Sequence, residues 1–169
     1  MEVLISRERI AERVRELAQE INSDYKGESL YVIGILTGAF VFMADLAREL
    51  EVDLKVEFMG VSSYKDGTKS SGNLEITKDI KTELAGANVL IVEDIVDTGL
   101  TAARLVEMMK LRKVKSVKVC ALLNKQSRRE NEFAADYVGF DIEDKFVVGY
   151  GLDCGGRFRG LKDIGVVEK

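Results

Sequence analysis

The chain has 169 residues, 46% of them hydrophobic, which is enough for one domain with a sizeable core. Its net charge of −4 argues against a general nucleic-acid-binding or membrane-surface protein. It has no apolar stretch of about 20 residues that would cross a membrane, and its N-terminal apolar run is too short for a secretory signal. Cys120 and Cys154 have no metal-type spacing. We therefore expect a cytoplasmic protein.

Apolar residues alternate between helical and strand spacing along the chain. Helical spacing predicts helices over 6–22, where Ser6 is a plausible N-cap, and over 40–50 and 101–111. Continuous or short apolar runs predict strands at 30–36, 54–61, 74–76, 89–92 and 116–123, with a last edge strand at 164–167. Segment 62–73 is rich in Ser, Gly and Lys without any apolar period, so it predicts a mobile loop.

This alternation predicts an α/β fold with a parallel sheet and helices on both of its faces. In such sheets, ligands bind beyond the carboxyl ends of the strands. The loops 37–39, 93–101 and 124–128 lie at those ends, so they are where we expect the functional site.

Segment 89–101 carries the strongest chemical signal. Glu93, Asp94 and Asp97 follow a buried strand, where carboxylates repel one another unless a cation lies between them. The turn at Thr98 and Gly99 precedes a helix, so its backbone N–H groups suit a phosphate. By itself this turn also fits a ligand-free helix N-cap, but the acidic pair upstream favours binding. The segment therefore predicts a phosphorylated, hydroxylated substrate with a metal ion.

Segment 89–101 also resembles the phosphoribosyl-diphosphate signature of type I phosphoribosyltransferases. Segments 36–42, 61–64, 68–72, 123–125 and 144–153 look like those of bacterial hypoxanthine-guanine phosphoribosyltransferases. The resemblance implies the type I phosphoribosyltransferase fold over residues 1–169. In that fold a mostly parallel sheet is flanked by helices, and a small hood is formed by the N-terminal residues and about 125–169.

The resemblance also implies a reaction. The 5-phosphoribosyl group of 5-phospho-α-D-ribose 1-diphosphate is transferred to N9 of a 6-oxopurine base, hypoxanthine or guanine. Pyrophosphate is released, and the purine mononucleotide IMP or GMP forms in purine salvage. Mg²⁺ is the implied cofactor, and a homodimer or homotetramer is the implied assembly.

On the sugar side, the resemblance implies that a loop binds the 5-phosphate through Asp97, Thr98, Gly99, Leu100 and Thr101. Glu93 and Asp94 would accept hydrogen bonds from the ribose hydroxyls, directly or through Mg²⁺. Asp97 is the candidate general base near N7 of the purine, since the chain contains no His. Its alternative role is to orient the turn.

On the pyrophosphate side, Thr37 and Gly38 resemble the pyrophosphate loop, although the family often carries Lys at the first of these positions. The Leu36–Thr37 peptide is expected to be able to adopt the cis form with ligand bound. Asp153 would complete a metal set with Glu93 and Asp94, and Arg159 would contact pyrophosphate.

On the base side, Lys125 would donate to the 6-oxo group, Phe146 would stack on the purine, and Val147 would offer main-chain groups. Lys125 also fits an ordinary surface lysine. Ser63 and Tyr64 lie in the 62–73 loop, which would close over the reaction centre and exclude water.

Two alternatives stay open. Some proteins with this signature are regulators that bind phosphoribosyl diphosphate or nucleotides, although this chain lacks a helix-turn-helix segment and is acidic. A catalytically weakened scaffold is the other alternative. It is motivated by Thr37 and by the glycine pair Gly155-Gly156, which depart from the family pattern.

Overall fold

The structure is a computed structural model that describes residues 1–66 and 69–168, and it describes residues 63–66 and 69–73 through their backbone alone. The strands are β1 (Glu2–Ile5), β2 (Ser29–Leu36), β3 (Asp53–Asp66), β4 (Lys69–Lys78), β5 (Asn88–Val96), β6 (Ser116–Asn124), β7 (Tyr137–Asp141), β8 (Val147–Val148) and β9 (Ile164–Val166). The helices are α1 (Arg7–Asp24), α2 (Phe40–Glu49), α3 (Leu100–Leu111) and a 3₁₀ turn (Gln126–Arg128).

The described residues form a six-stranded main sheet in the order β4-β3-β2-β5-β6-β7. β3, β2, β5, β6 and β7 pair in parallel, and β4 is an antiparallel edge strand. β3, the next strand in the chain, lies beside β2 on one side, and β5 lies beside β2 on the other side. The loops that follow β2 and β5 therefore diverge and open a cleft at the carboxyl ends of the strands.

Helices cover both faces of the sheet, as predicted. α1 and α2 pack on one face against a core that includes Val32, Leu90 and Leu122, whereas α3 packs on the other face against a core that includes Ile33 and Ile91. Successive side chains of a strand point to opposite faces, so a strand buried on both sides must be apolar throughout. The predicted α/β class is confirmed.

A second sheet of the described residues has the order β1-β9-β8. The sequence predicts segment 164–167 as an edge strand, but β9 lies in the centre because β1 and β8 both pair with it in antiparallel register. The resemblance also assigns residues from about 125 onward to a hood, whereas β7 belongs to the main sheet. Both differences arise from pairing between distant segments, which local composition does not encode.

The loop predicted at 62–73 is also corrected in part. Residues up to 66 continue β3, and residues from 69 belong to β4, so most of the segment is an antiparallel hairpin. Cross-strand pairing, such as that of Ser63 with Leu74, satisfies a backbone whose composition alone resembles a loop. Positions 67 and 68 lie outside the described residues.

In the described part of the chain, no helix has the length and apolar character needed to span a membrane.

Candidate active site

Two adjoining cavities open at the carboxyl ends of the parallel strands. The smaller one, of about 280 Å³, lies between the loops after β2 and β5, and the larger one, of about 570 Å³, lies beside it toward the loop after β6. We call them the sugar cavity and the base cavity. Asp94, Asp97 and Asp153 line both of them. A ligand that occupies both cavities therefore passes these three carboxylates at the junction.

The turn between β5 and α3 forms one wall of the sugar cavity. Gly99 adopts a left-handed backbone with φ 86° directly before α3, a conformation that a residue with a Cβ rarely adopts. Thr98, Gly99 and Thr101 line the cavity. Leu100 does not line either cavity, and its N–H contacts the Thr98 hydroxyl oxygen at 3.3 Å. A helix N-terminus with a glycine turn is suited to binding an anionic group.

Glu93 and Asp94 bring two carboxyl groups into the interior. Glu93 is only 6% exposed. Its pKa lies well above the usual range, because burial disfavours the charged form and because Asp94 repels it. Burial also raises the pKa of Asp94, although the Ile95 N–H at 2.8 Å and the positive charge of Arg159 oppose that shift. A cation or a pair of hydroxyl donors would stabilise this acidic pair.

The loop after β2 approaches the acidic pair closely. The Leu36–Thr37 peptide is cis, the form expected for the ligand-bound protein. Thr37 and Gly38 line the sugar cavity. A Cβ on Gly38 would lie 1.8 Å from Asp94 Oδ2, so a side chain at this position would displace that carboxylate.

Arg159 and Asp153 close the far side of the sugar cavity. Their side chains form an ion pair at 3.3 Å, and Arg159 also donates to the Gly151 carbonyl at 2.7 Å. A Cβ on Gly151 would lie 2.4 Å from the Gly38 carbonyl oxygen, so this loop packs tightly on the loop after β2. The ion pair therefore holds the Asp153 carboxylate in place, although two flexible residues, Gly155 and Gly156, follow closely in the chain.

Charged side chains alternate along one wall of the base cavity. Lys125 is 7% exposed, and its ammonium lies 3.6 Å from Asp144 Oδ1. Arg128 lies between Asp144, at 3.6 Å, and Asp97, at 3.1 Å. Each charge therefore faces one of opposite sign, and the carboxylates of Asp97 and Asp144 raise the pKa of Arg128. Lys125 presents a hydrogen-bond donor to the cavity.

Apolar residues also line the base cavity. They include Phe146, Val147 and Leu152, and Val147 lies in β8, which pairs with β9. An aromatic ring, aliphatic groups and a lysine in one cavity suit a flat heterocycle that carries an acceptor on one edge. The side chains of Ser63 and Tyr64 lie outside the described part of the molecule.

Most residues that the sequence predicts for the site therefore line one of the two cavities. The predicted metal set of Glu93, Asp94 and Asp153 is not preassembled, since within residues 1–66 and 69–168 no three acidic, Cys or His groups are placed to hold a metal ion together. Sequence reasoning misses Arg128 and Asp144. A signal was available for Arg128, because it and Asp97 stand in two loops predicted to lie at the same edge of the sheet, whereas Asp144 lies in none of the predicted loops.

Comparison with known proteins identifies the family. The phosphoribosyl transferase domain family matches residues 4–154. The chain belongs to the phosphoribosyltransferase family. It is 48% identical to the hypoxanthine-guanine phosphoribosyltransferase of Bacillus subtilis (strain 168), over 98% of this chain and 92% of that protein. It is 44% identical to the hypoxanthine phosphoribosyltransferase of Escherichia coli (strain K12), over 99% of this chain and 95% of that protein.

Solved structures lead to the same conclusion. A crystal structure of a hypoxanthine-guanine phosphoribosyltransferase from Bacillus anthracis matches this phosphoribosyltransferase with a TM-score of 0.96 at 43% identity, covering 99% of both chains. The type I phosphoribosyltransferase fold is thus confirmed, including the mostly parallel sheet.

Proposed function

We propose that this phosphoribosyltransferase transfers the phosphoribosyl group of phosphoribosyl diphosphate to N9 of hypoxanthine or guanine, in purine salvage. One observation carries the proposal: an acid-lined sugar cavity with a glycine turn opens directly into a base cavity that holds one buried lysine. The relatives named for this reaction support it over nearly the full chain.

In this proposal the sugar cavity binds phosphoribosyl diphosphate. The turn from Asp97 to Thr101 holds the 5-phosphate with backbone N–H groups and threonine hydroxyls. Glu93 and Asp94 accept hydrogen bonds from the ribose hydroxyls, and the low local dielectric around the buried Glu93 strengthens its bonds. Pyrophosphate lies toward Thr37, Gly38 and Arg159, where a guanidinium and backbone groups offer donors to its oxygens.

The acidic residues also fit a magnesium ion. Carboxylate oxygens are its usual protein ligands, and Mg²⁺ commonly completes its coordination with substrate phosphates and water. Glu93, Asp94 and Asp153 would hold it together with substrate oxygens. Bound there, Mg²⁺ would stabilise the charge that grows on pyrophosphate.

The base cavity selects and aligns the purine. Lys125 donates to the 6-oxo oxygen, Phe146 contacts the ring face, and Val147 offers main-chain groups to its edge. N9 then attacks C1 of the ribose as the bond from C1 to pyrophosphate breaks, and Asp97 accepts the purine proton at N7. Its ion pair with Arg128 holds this carboxylate at the junction of the cavities.

We further propose a cytoplasmic location and a homodimeric or homotetrameric assembly, both on the strength of family membership. Sedimentation of the purified protein measures the assembly.

We also propose, from the family resemblance, that the segment with Ser63 and Tyr64 closes over the bound substrates.

A direct assay tests the function. The protein is mixed with hypoxanthine, phosphoribosyl diphosphate and Mg²⁺, and pyrophosphate and IMP are quantified. We expect equal amounts of both products, and far slower reaction with adenine, which offers Lys125 an amino group where hypoxanthine offers an acceptor. Tight binding of phosphoribosyl diphosphate without any nucleotide formation would instead favour the regulator or the weakened scaffold.

A further inference from the structure

We propose that Asn131 is a positioning residue that aims the backbone amides of the phosphate-binding turn into the sugar cavity. The inference rests on the proposed function for the identity of the phosphate, but it concerns a residue outside both cavities. Asn131 lies in the segment after β6, behind the turn from Asp97 to Thr101.

Two carbonyl groups of the turn accept hydrogen bonds from residues 130 and 131. The Glu130 N–H donates to the Thr98 carbonyl at 2.8 Å. The Asn131 side-chain Nδ2 donates to the Gly99 carbonyl at 3.1 Å, and this carbonyl also accepts the first helical bond, from the Ala103 N–H. The segment 130–131 thus contacts the side of the turn that faces away from the sugar cavity.

These hydrogen bonds fix the direction in which the backbone N–H groups of the turn point, because of the geometry of the peptide unit. A trans peptide unit is planar, so its C=O and N–H point in opposite directions. With the Thr98 and Gly99 carbonyls directed at the segment behind, the N–H groups of Gly99 and Leu100 point the other way. The Gly99 N–H points toward the sugar cavity, and the Leu100 N–H points toward the hydroxyl oxygen of Thr98, at 3.3 Å, a residue that lines this cavity. Asn131 therefore acts on the peptide that carries the Leu100 N–H, although its own side chain does not reach the cavity.

Asn131 is itself held in place. Its Oδ1 accepts from the Phe133 N–H at 3.1 Å, which leaves Nδ2 directed at the turn. A Cβ on Gly99 would lie 2.5 Å from this Oδ1 and 2.6 Å from Arg129 Cδ, so the turn packs directly on the segment. Arg129 anchors the same segment by donating to the Phe133 carbonyl at 2.8 Å and to Asn124 Oδ1.

Two variants separate the positioning role from a structural one. Asn131→Ala removes both hydrogen bonds. Asn131→Asp keeps the acceptor for the Phe133 N–H but turns an acceptor toward the Gly99 carbonyl. We expect both variants to raise the KM for phosphoribosyl diphosphate about 2- to 10-fold, the range that corresponds to one net hydrogen bond. The KM for hypoxanthine should stay within about twofold of wild type.

Asn22→Ala is the matched control. Asn22 also donates to a backbone carbonyl, that of Glu49 at 3.4 Å, and accepts from a backbone N–H, that of Glu51 at 2.8 Å, but it lines neither cavity and contacts no residue that does so through these bonds. We expect this control to leave both KM values unchanged. Calorimetry with ribose 5-phosphate, which carries the same phosphate and needs no reaction, should show weaker binding by both Asn131 variants.

The outcomes are distinct for the two proposals. Wild-type protein that forms no IMP would overturn the proposed function, while the calorimetric comparison would still test Asn131. Wild-type behaviour of Asn131→Asp toward phosphoribosyl diphosphate and ribose 5-phosphate would overturn the inference, because the bond to Phe133 alone would then suffice. Equal increases in the KM values for both substrates would also overturn it, since they indicate general disruption.

Discussion

Replacing Gly38 by alanine tests whether close packing of two loops fixes the carboxylate of Asp94. The new methyl carbon would lie 1.8 Å from Asp94 Oδ2 and 2.7 Å from its Cγ, inside the 3.0 Å limit of real Cβ contacts. Gly38 cannot retreat freely, because its carbonyl oxygen is so close to Gly151 that a Cβ there would lie only 2.4 Å from it. The carboxylate therefore has to move.

The structure sets the size of the effect. Moving the carboxylate strains or breaks the bond from the Ile95 N–H to Asp94 Oδ1, which is 2.8 Å long. Overpacking a tight site lowers the free energy of unfolding by about 1–3 kcal/mol, which corresponds to a fall in Tm of roughly 2–12 °C in a domain of this size. If Asp94 also loses one charged hydrogen bond to the ribose, kcat/KM falls about 10- to 100-fold.

The assay compares kcat/KM for IMP formation and Tm between Gly38→Ala and Gly160→Ala. A Cβ at Gly160 meets nothing within 4 Å, and its backbone is not left-handed, so this control should stay within about 0.5 kcal/mol of wild type. A Gly38→Ala protein with the kcat/KM and Tm of wild type would refute the reasoning, because the loops would then have room that the structure does not show.

Three further substitutions have expected outcomes. Asp97→Asn should lower kcat about 10²- to 10⁴-fold in steady-state assays, as loss of a general base does; an unchanged kcat would leave Asp97 only the role of orienting the turn. Asp144→Asn removes the 3.6 Å ion pair with the buried lysine of the base cavity, so the KM for hypoxanthine should rise about two- to fivefold. Glu143→Gln is its control, and equal effects would contradict the assignment. Native protein should expose one thiol to a disulfide reagent at pH 8, because Cys154 is exposed while burial raises the pKa of Cys120. Cys154→Ser should abolish that reaction, and two reactive thiols in native protein would be inconsistent with the buried one.

Local patterns predict the elements whose hydrogen bonds are local. The apolar stripe that predicts a helix over 6–22 corresponds to α1, Arg7–Asp24, and Ser6 accepts from the Arg9 N–H as its cap. The strands buried on both faces are predicted in place but not always in length: the apolar run 89–92 predicts β5, yet β5 spans Asn88–Val96 and so includes residues 93–96 of the predicted loop 93–101. The hairpin in 62–73 is not predicted, because its strands are stabilised by pairing with each other rather than by their composition.

The residues of the candidate site differ in the same way: some are predicted by one local motif, and others meet only in the folded chain. Glu93, Asp94 and the turn at Gly99 form one short motif, so the sequence by itself determines their chemistry and the order of the strand and helix that carry them. Only the tertiary structure decides that Arg128 meets Asp97 and that Asn131 meets Gly99. These contacts depend on the parallel pairing of β5 with β6, which brings the ends of two separate strands together. Burial is equally a property of the whole fold, and it is burial that raises the pKa of Glu93.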